Sequence, residues 1–108
     1  MKRFLVVESR DLTEYVSGDK FLSLVEGLGK NGNEVVLFLL ENGVIAARKG
    51  ADTGRSLSHL AIQGTKVYAE DVSCRARGIT ALAEGVRVSS LDFLADSLAE
   101  GFDNIVWY

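Results

Sequence analysis

Cys74 is the residue whose type and surroundings point most directly to chemistry. It is the single cysteine of the chain, and it lies in a predicted turn after a strand-like run that begins at Val67. A thiolate is a good nucleophile when nearby cations lower the pKa of the thiol. Arg75 and Arg77 lie within three positions of it, so they could stabilise a thiolate. A lone cysteine is more often a small, inert side chain, and both interpretations stay open.

Polar residues also follow three of the apolar runs. They are Glu8 to Asp11, Glu41 to Gly43, and Glu70-Asp71 with Ser73 and Cys74. Ligands of open parallel sheets bind at the carboxyl ends of the strands, so these positions are candidate site residues. Glu8, Glu41 and Glu70 could together hold a divalent cation if their strands are neighbours. The alternative is that these carboxylates interact with the first turns of helices.

Three other motifs do not support a site. Gly27 to Gly32 has the letters of a dinucleotide fingerprint, but it ends a predicted helix, whereas that fingerprint begins one. Gly50 to Ser56 resembles a phosphate loop with one spacer missing and Arg55 in place of lysine, which favours a flexible turn before a helix. His59 has no second histidine or cysteine at ligand spacing, so we expect it on a helix surface.

Composition restricts the class of protein. The chain has 108 residues, 47% of them hydrophobic, and a net charge of −3. This predicts one domain over residues 1–108 and gives no basic field for nucleic acid. One cysteine forbids an internal disulfide, and the few apolar residues before Glu8 predict neither a signal peptide nor a membrane span. We therefore expect a cytoplasmic protein that binds neither membrane nor nucleic acid.

The elements that must position these residues follow from hydrophobic periodicity. Five apolar runs predict strands, and three segments of helical period predict helices. The strands are Phe4 to Val7, Val35 to Leu40, Lys66 to Ala69, Val86 to Val88 and Asn104 to Trp107; the helices are Lys20 to Leu28, Ser56 to Gln63 and Ser90 to Glu100. Strands that alternate with helices predict an α/β fold, three-layered α/β/α, around a mostly parallel five-stranded sheet.

Two further details refine this prediction. The run Val35 to Leu40 lacks polar alternation, so it is predicted to be a central strand covered on both faces. Gly18-Asp19 and Ser89-Ser90 are predicted N-caps, and Gly29, Gly64 and Gly101 are predicted C-cap glycines.

Several segments resemble the DsrE/DsrF-like family of small α/β proteins, which includes subunits of bacterial sulfur-relay complexes. The resemblance spans nearly the whole chain. It is based on Arg3 to Val7, Val36 to Val44 with Ala46-Ala47 after it, Val67 to Ala69 continuing to Ala76 to Ile79, and Phe102 to Trp107. It implies a three-layer α/β/α fold, assembly with copies of the chain or with related subunits, and a cysteine persulfide that passes sulfur to a carrier protein. We expect no cofactor.

The family's sulfur-carrying cysteine comes eight residues before the glycine of the Arg-Gly element, and some members have another five residues before it. Counted from Gly78, these positions hold Glu70 and Ser73. A persulfide could therefore form only on Cys74, about 100° around a helical turn from Ser73. Because glutamate cannot hold a sulfane sulfur, the alternative is a non-catalytic member, oligomeric or ligand-binding, with a site of Asn42, Gly43, Glu70 and Ser73.

The carboxyl-terminal segment gives a separate reason to expect an oligomer. The sequence ends on Ile105 to Tyr108, and large aromatic residues at such an edge often complete an interface. The alternative is that Trp107 packs within the core.

Overall fold

A computed structural model describes residues 1–13 and 18–108 of the chain. Over these residues strands and helices alternate from one end to the other. The elements are β1 (Arg3–Glu8), α1 (Gly18–Lys30), β2 (Glu34–Leu39), a 3-10 helix (Glu41–Ala47), α2 (Asp52–Ile62), β3 (Lys66–Glu70), α3 (Asp71–Ala76), β4 (Val86–Ser89), α4 (Leu91–Glu100) and β5 (Asn104–Trp107).

The five strands form one sheet in the order β4-β3-β2-β1-β5. Every pair of neighbours is parallel, which confirms the predicted α/β fold with its helices flanking the sheet. β2 lies at the centre, as the unbroken apolar run predicts. Its side chains from Val35 to Leu39 are all buried, because helices cover this strand on both faces.

The two faces of the sheet are covered unequally. The strands β1, β2, β3 and β4 follow one another across the sheet, whereas the connection from β4 to β5 returns across its whole width. Because parallel crossovers are right-handed, the direction of each crossover determines the face on which its helix lies. Side chains of α1, α2 and α3 share one hydrophobic core, and Leu94 of α4 packs in a second one with Leu5, Val7 and Phe38.

The structure changes three local predictions. Gly29 lies inside α1, which continues to Lys30, and Gly32, with a φ of 82°, is the glycine that follows the helix. The predicted flexible turn at Gly50 to Ser56 is wrong, because α2 begins at Asp52. An acidic residue in the first turn favours that earlier start. The turn predicted around Cys74 is the short helix α3.

Gly18 and Asp19 are the first residues of α1, so the N-cap predicted at this pair is not observed, whereas the predicted caps at Ser90, Gly64 and Gly101 are confirmed. The Ser90 hydroxyl accepts a hydrogen bond from the Phe93 N–H at 3.1 Å and so caps α4. Gly64 and Gly101 follow α2 and α4 with φ angles of 106° and 92°, a conformation that favours glycine.

Candidate functional site

The carboxyl ends of β1, β2 and β3 meet at one edge of the sheet, because these strands are parallel neighbours. At this edge Gly43 lies directly against β1. A Cβ atom at Gly43 would lie 2.2 Å from the carbonyl oxygen of Glu8, which is far inside contact distance. The same carbonyl accepts a hydrogen bond from the N–H of Leu40 at 2.9 Å. Only glycine therefore lets the 3-10 helix approach β1 this closely.

Glu70, the last residue of β3, is buried and caps α3. One carboxylate oxygen accepts from the Val72 N–H at 2.6 Å. The other accepts from the Ser73 N–H at 2.9 Å and from the Ser73 hydroxyl at 2.5 Å. A helix leaves its first N–H groups without partners in the helix, and a side-chain acceptor at the cap position satisfies them. This capping explains why a helix begins directly after β3.

Ser73 joins α3 to the segment that follows β2. Its hydroxyl donates to Glu70 and accepts from the backbone N–H of Glu41 at 2.9 Å. Glu41 has a φ of 55°, which is uncommon for a residue other than glycine. The hydrogen bond to Ser73 stabilises that backbone conformation, so the ends of β2 and β3 are held in one polar network.

Arg77 completes the network. Its Nε and one terminal nitrogen donate to the Asn42 side-chain oxygen at 3.0 and 2.9 Å. Its other terminal nitrogen donates to the carbonyl of Ser73 at 3.1 Å, and Glu41 lies 3.7 Å from the guanidinium. The planar guanidinium group of Arg77 thus positions the segment after β2 against α3. We call Glu41, Asn42, Glu70, Ser73 and Arg77 the strand-end network.

Electrostatics keep Glu70 ionised. Burial by itself would raise the pKa of this carboxyl group. Hydrogen bonds from the Ser73 hydroxyl, the Val72 N–H and the Ser73 N–H outweigh burial, so the pKa of Glu70 is lower than its usual value. Hydrogen bonds to the charged form are what lower a carboxyl pKa. Both oxygens of the carboxylate therefore accept hydrogen bonds within the fold.

Cys74 is in the opposite situation. It is only 5% exposed and belongs to the core beneath α1, α2 and α3. Burial, followed by the negative charges of Glu70 and Asp71, raises the pKa of the Cys74 thiol, and the charge of Arg77 lowers it only in part. Of the two predicted thiolate stabilisers, Arg77 is thus the one whose charge acts on Cys74. Arg75 lies 3.8 Å from Asp71 in an exposed ion pair.

The remaining candidates do not extend the site. Among residues 1–13 and 18–108, no three histidine, cysteine, aspartate or glutamate residues are grouped as metal ligands, so Glu8, Glu41 and Glu70 do not form a cation pocket. His59 lies on the exposed surface of α2, 3.5 Å from Glu26, as predicted. Within the same residues, no helix has the length and apolar character needed to cross a bilayer.

Sequence reasoning found the members of the network but missed how they are connected. Arg77 was predicted as a thiolate stabiliser, and its contacts with Asn42 and the Ser73 carbonyl were not foreseen. The signal for the α3 cap was present in the sequence: an acidic residue ends a strand, and a serine follows three positions later. That spacing lets a carboxylate accept from the backbone N–H of the serine.

The fold and the strand-end network define a small α/β protein with a parallel sheet and a polar, hydrogen-bonded edge. The chain belongs to the DsrE/DsrF-like family, whose family model matches residues 2–107.

Solved structures share this fold. The crystal structure of the ychN protein from E. coli has a TM-score of 0.88 at 22% identity, with all of both chains covered. The protein of unknown function MTH1491 from Methanobacterium thermoautotrophicum has a TM-score of 0.83, also at 22% identity over both full chains. BT1422 from Bacteroides thetaiotaomicron, of unknown function, has a TM-score of 0.73 at 13% identity, covering 99% of this chain and 95% of its own. No curated protein is significantly similar in sequence.

Proposed function

We propose that this protein is a DsrE/DsrF-like subunit that acts by binding and assembly, without carrying sulfur at the end of β3. The observation behind this proposal is that Glu70 is buried and hydrogen-bonded at the end of β3. It occupies the position that the resemblance assigns to a sulfur-carrying cysteine. Its buried carboxylate accepts three hydrogen bonds from Val72 and Ser73. A carboxylate has no sulfur atom to form a persulfide, and this one is committed to capping α3.

The binding part of the proposal involves the exposed side of the strand-end network. Glu41 is largely exposed, and Arg77 is about one quarter exposed. Asn42 and Gly43 supply an amide and a backbone segment at the same edge. Carboxyl ends of parallel strands are where ligands bind in open α/β sheets. A small polar ligand or a segment of a partner protein would therefore contact the network from this edge.

A second candidate function is sulfur transfer through a persulfide on Cys74. Its support is position: Cys74 lies on α3, four residues after Glu70 and within reach of the Arg77 charge, which lowers the pKa of the thiol. Burial and two nearby carboxylates act against it, because a nucleophilic thiol needs a lowered pKa and access to its substrate. This is why the binding function is preferred.

Intact-mass spectrometry after incubation with a sulfane-sulfur donor separates the two functions. We expect no gain of sulfur on the native protein. A gain of one sulfur atom that reductant reverses and that Cys74→Ser abolishes would instead establish Cys74 as a carrier. The variant Glu70→Cys is the positive control: sulfur on this variant alone would show that the position at the end of β3 is accessible to the donor.

A further inference from the structure

A buried hydroxyl group lies just before β3, at the amino end of that strand. It belongs to Thr65, which is only 7% exposed. The backbone N–H of Thr65 donates to the carbonyl of Leu60 at 3.1 Å. Its side-chain hydroxyl makes no hydrogen bond with residues 1–13 or 18–108. Because an unpaired buried hydroxyl is unfavourable, a polar group that reached it would gain a hydrogen bond.

The hydroxyl faces a pocket between the last turn of α1 and the end of α2. A Cβ atom at Gly29 of α1 would lie 3.6 Å from Thr65 Oγ1, so the oxygen faces the place where Gly29 has no side chain. The pocket has a volume of about 250 Å³ and is lined by Glu26, Gly29, Lys30, Gln63 and Thr65. It lies near the amino ends of the strands, at the edge of the sheet opposite to the strand-end network.

Gly29 keeps this pocket open. Glycine is less favourable than alanine inside a helix, and α1 continues past Gly29 to Lys30. A distance of 3.6 Å is ordinary van der Waals contact, so the methyl group of an alanine would fit at this position. That methyl group would occupy the space from which a ligand atom can form a hydrogen bond with the Thr65 hydroxyl. The missing side chain therefore gives a small ligand access to the hydroxyl.

The groups around the pocket favour a positively charged ligand. The helices α1 and α2 both end here, and the carboxyl end of a helix carries a partial negative charge. Glu26 adds a carboxylate, whose oxygens lie 3.3 Å from Lys30 Nζ and 3.5 Å from His59 Nε2. The position of Lys30 shows that an ammonium group fits beside Glu26. Because the Lys30 side chain is 64% exposed, a ligand can displace it into solvent.

We propose that this pocket binds a small primary amine in its ammonium form, which replaces Lys30 beside Glu26 and donates a hydrogen bond to Thr65. An ammonium group has three N–H donors, and the acceptors are the Glu26 carboxylate, the Thr65 hydroxyl and the amide oxygen of Gln63. A pocket of about 250 Å³ is smaller than those of drug-sized ligands, so the amine must be small. This site is separate from the proposed function and does not rest on it.

Titration with butylammonium chloride, followed by heteronuclear NMR spectra of the protein, tests the site. We expect the backbone amide signals of Gly29, Lys30 and Thr65 to shift most and to reach saturation. Tetramethylammonium chloride is the matched control, because this cation has the same charge but no N–H donor. It should cause no saturable shift at these residues. Equal saturable shifts with both cations, shifts located elsewhere, or no saturable shift with butylammonium would overturn the proposal.

Three substitutions have different expected directions. Thr65→Val removes the hydroxyl with little change of shape, and Gly29→Ala blocks access to it. Each should weaken butylammonium binding about three- to tenfold, which is the effect of losing one hydrogen bond. Lys30→Gln removes the ammonium group that competes for Glu26 and should strengthen binding about two- to threefold, the effect of one exposed ion pair. Unchanged binding in the first two variants, or no gain with Lys30→Gln, would contradict the proposal.

Gly27→Ala is the control for effects on the helix. Gly27 also lies in α1, but it does not line the pocket, and a Cβ atom there would meet no atom within 4 Å. This variant should bind butylammonium like the parent protein. Since alanine favours the helix at both positions, loss of binding in Gly29→Ala cannot come from unfolding, and urea midpoints check this. An equal loss of binding in both glycine variants would overturn the proposal.

Discussion

The strand-end network and the edge strand β5 both depart from the usual distribution of side chains, in which polar groups are exposed and apolar groups are buried. At the strand ends, the carboxylate of Glu70 and the hydroxyl of Ser73 are buried and hydrogen-bonded. At the β5 edge, Ile105 and Trp107 are more than half exposed. A buried carboxylate is stable only when its hydrogen bonds are made within the fold.

This difference indicates how the two regions contribute to function. The strand-end network holds β2, β3 and α3 together, so changes there should first affect the stability of the fold. The side chains of Ile105 and Trp107 are largely exposed, so substitutions there should leave the stability of the fold nearly unchanged.

The largest effect is expected from Gly43→Ala. The added Cβ would lie 2.2 Å from the Glu8 carbonyl oxygen, so the 3-10 helix would have to move away from β1. We expect a loss of about 3 kcal/mol or more in the free energy of unfolding. Urea denaturation followed by circular dichroism measures it.

Gly27→Ala is the matched control for this change. Gly27 lies inside α1, and a Cβ there would meet no atom within 4 Å. Alanine is the better helix former, so this variant should gain about 0.5–1 kcal/mol. Equal stabilities for the two variants would mean that the close approach at Gly43 is not a constraint.

A somewhat smaller loss is expected from Glu70→Ala. It removes the cap of α3 and leaves the N–H and the hydroxyl of Ser73 buried without the acceptor that they share. We expect a loss of about 2–4 kcal/mol, from the cap and the unsatisfied donors together. The exposed Glu84→Gln serves as the control and should change the urea midpoint little. If both variants have the parent midpoint, the strand-end network contributes nothing to stability.

The pH dependence of the free energy of unfolding should reveal the contribution of the ionised Glu70 side chain. Because the pKa of Glu70 is lowered in the folded state, its contribution is fully present above its unfolded-state pKa of about 4.3 and is lost as the pH falls through the folded-state value. The parent protein should therefore exceed Glu70→Gln in stability at neutral pH. We expect this difference to shrink below pH 4 in urea titrations. A difference that stays constant with pH would contradict the role of the charge.

The smallest effect concerns the reactivity of the Cys74 thiol, compared between the native and the unfolded protein. Because burial raises the pKa of the thiol, iodoacetamide should modify the native protein at least tenfold more slowly than the urea-unfolded protein. Intact mass after timed quenching follows the reaction. Equal rates in the two states would show an accessible, activated thiol and would strengthen the case for sulfur transfer.

Much of the fold could be predicted from local pattern. The apolar runs located all five strands, and the helical period located α1, α2 and α4, since burial of one face imposes these spacings on the sequence. The starts and ends of helices were less certain. Gly29 has the residue type of a C-cap, yet α1 continues past it because Gly32 supplies the left-handed conformation two residues after Lys30.

For the site, the sequence alone determined the chemical types: a glutamate where the family's sulfur carriers have cysteine, a serine three positions later, and a single thiol. The tertiary structure decided what those groups do. Sequence spacing does not reveal which strands are neighbours, so the contact of Arg77 with Asn42 and that of Ser73 with Glu41 appear only when β2 and β3 pair. Strand order also decided the exposure of Trp107. Only the return crossover to β5 places a helix, α4, over the face of the sheet on which Trp107 lies.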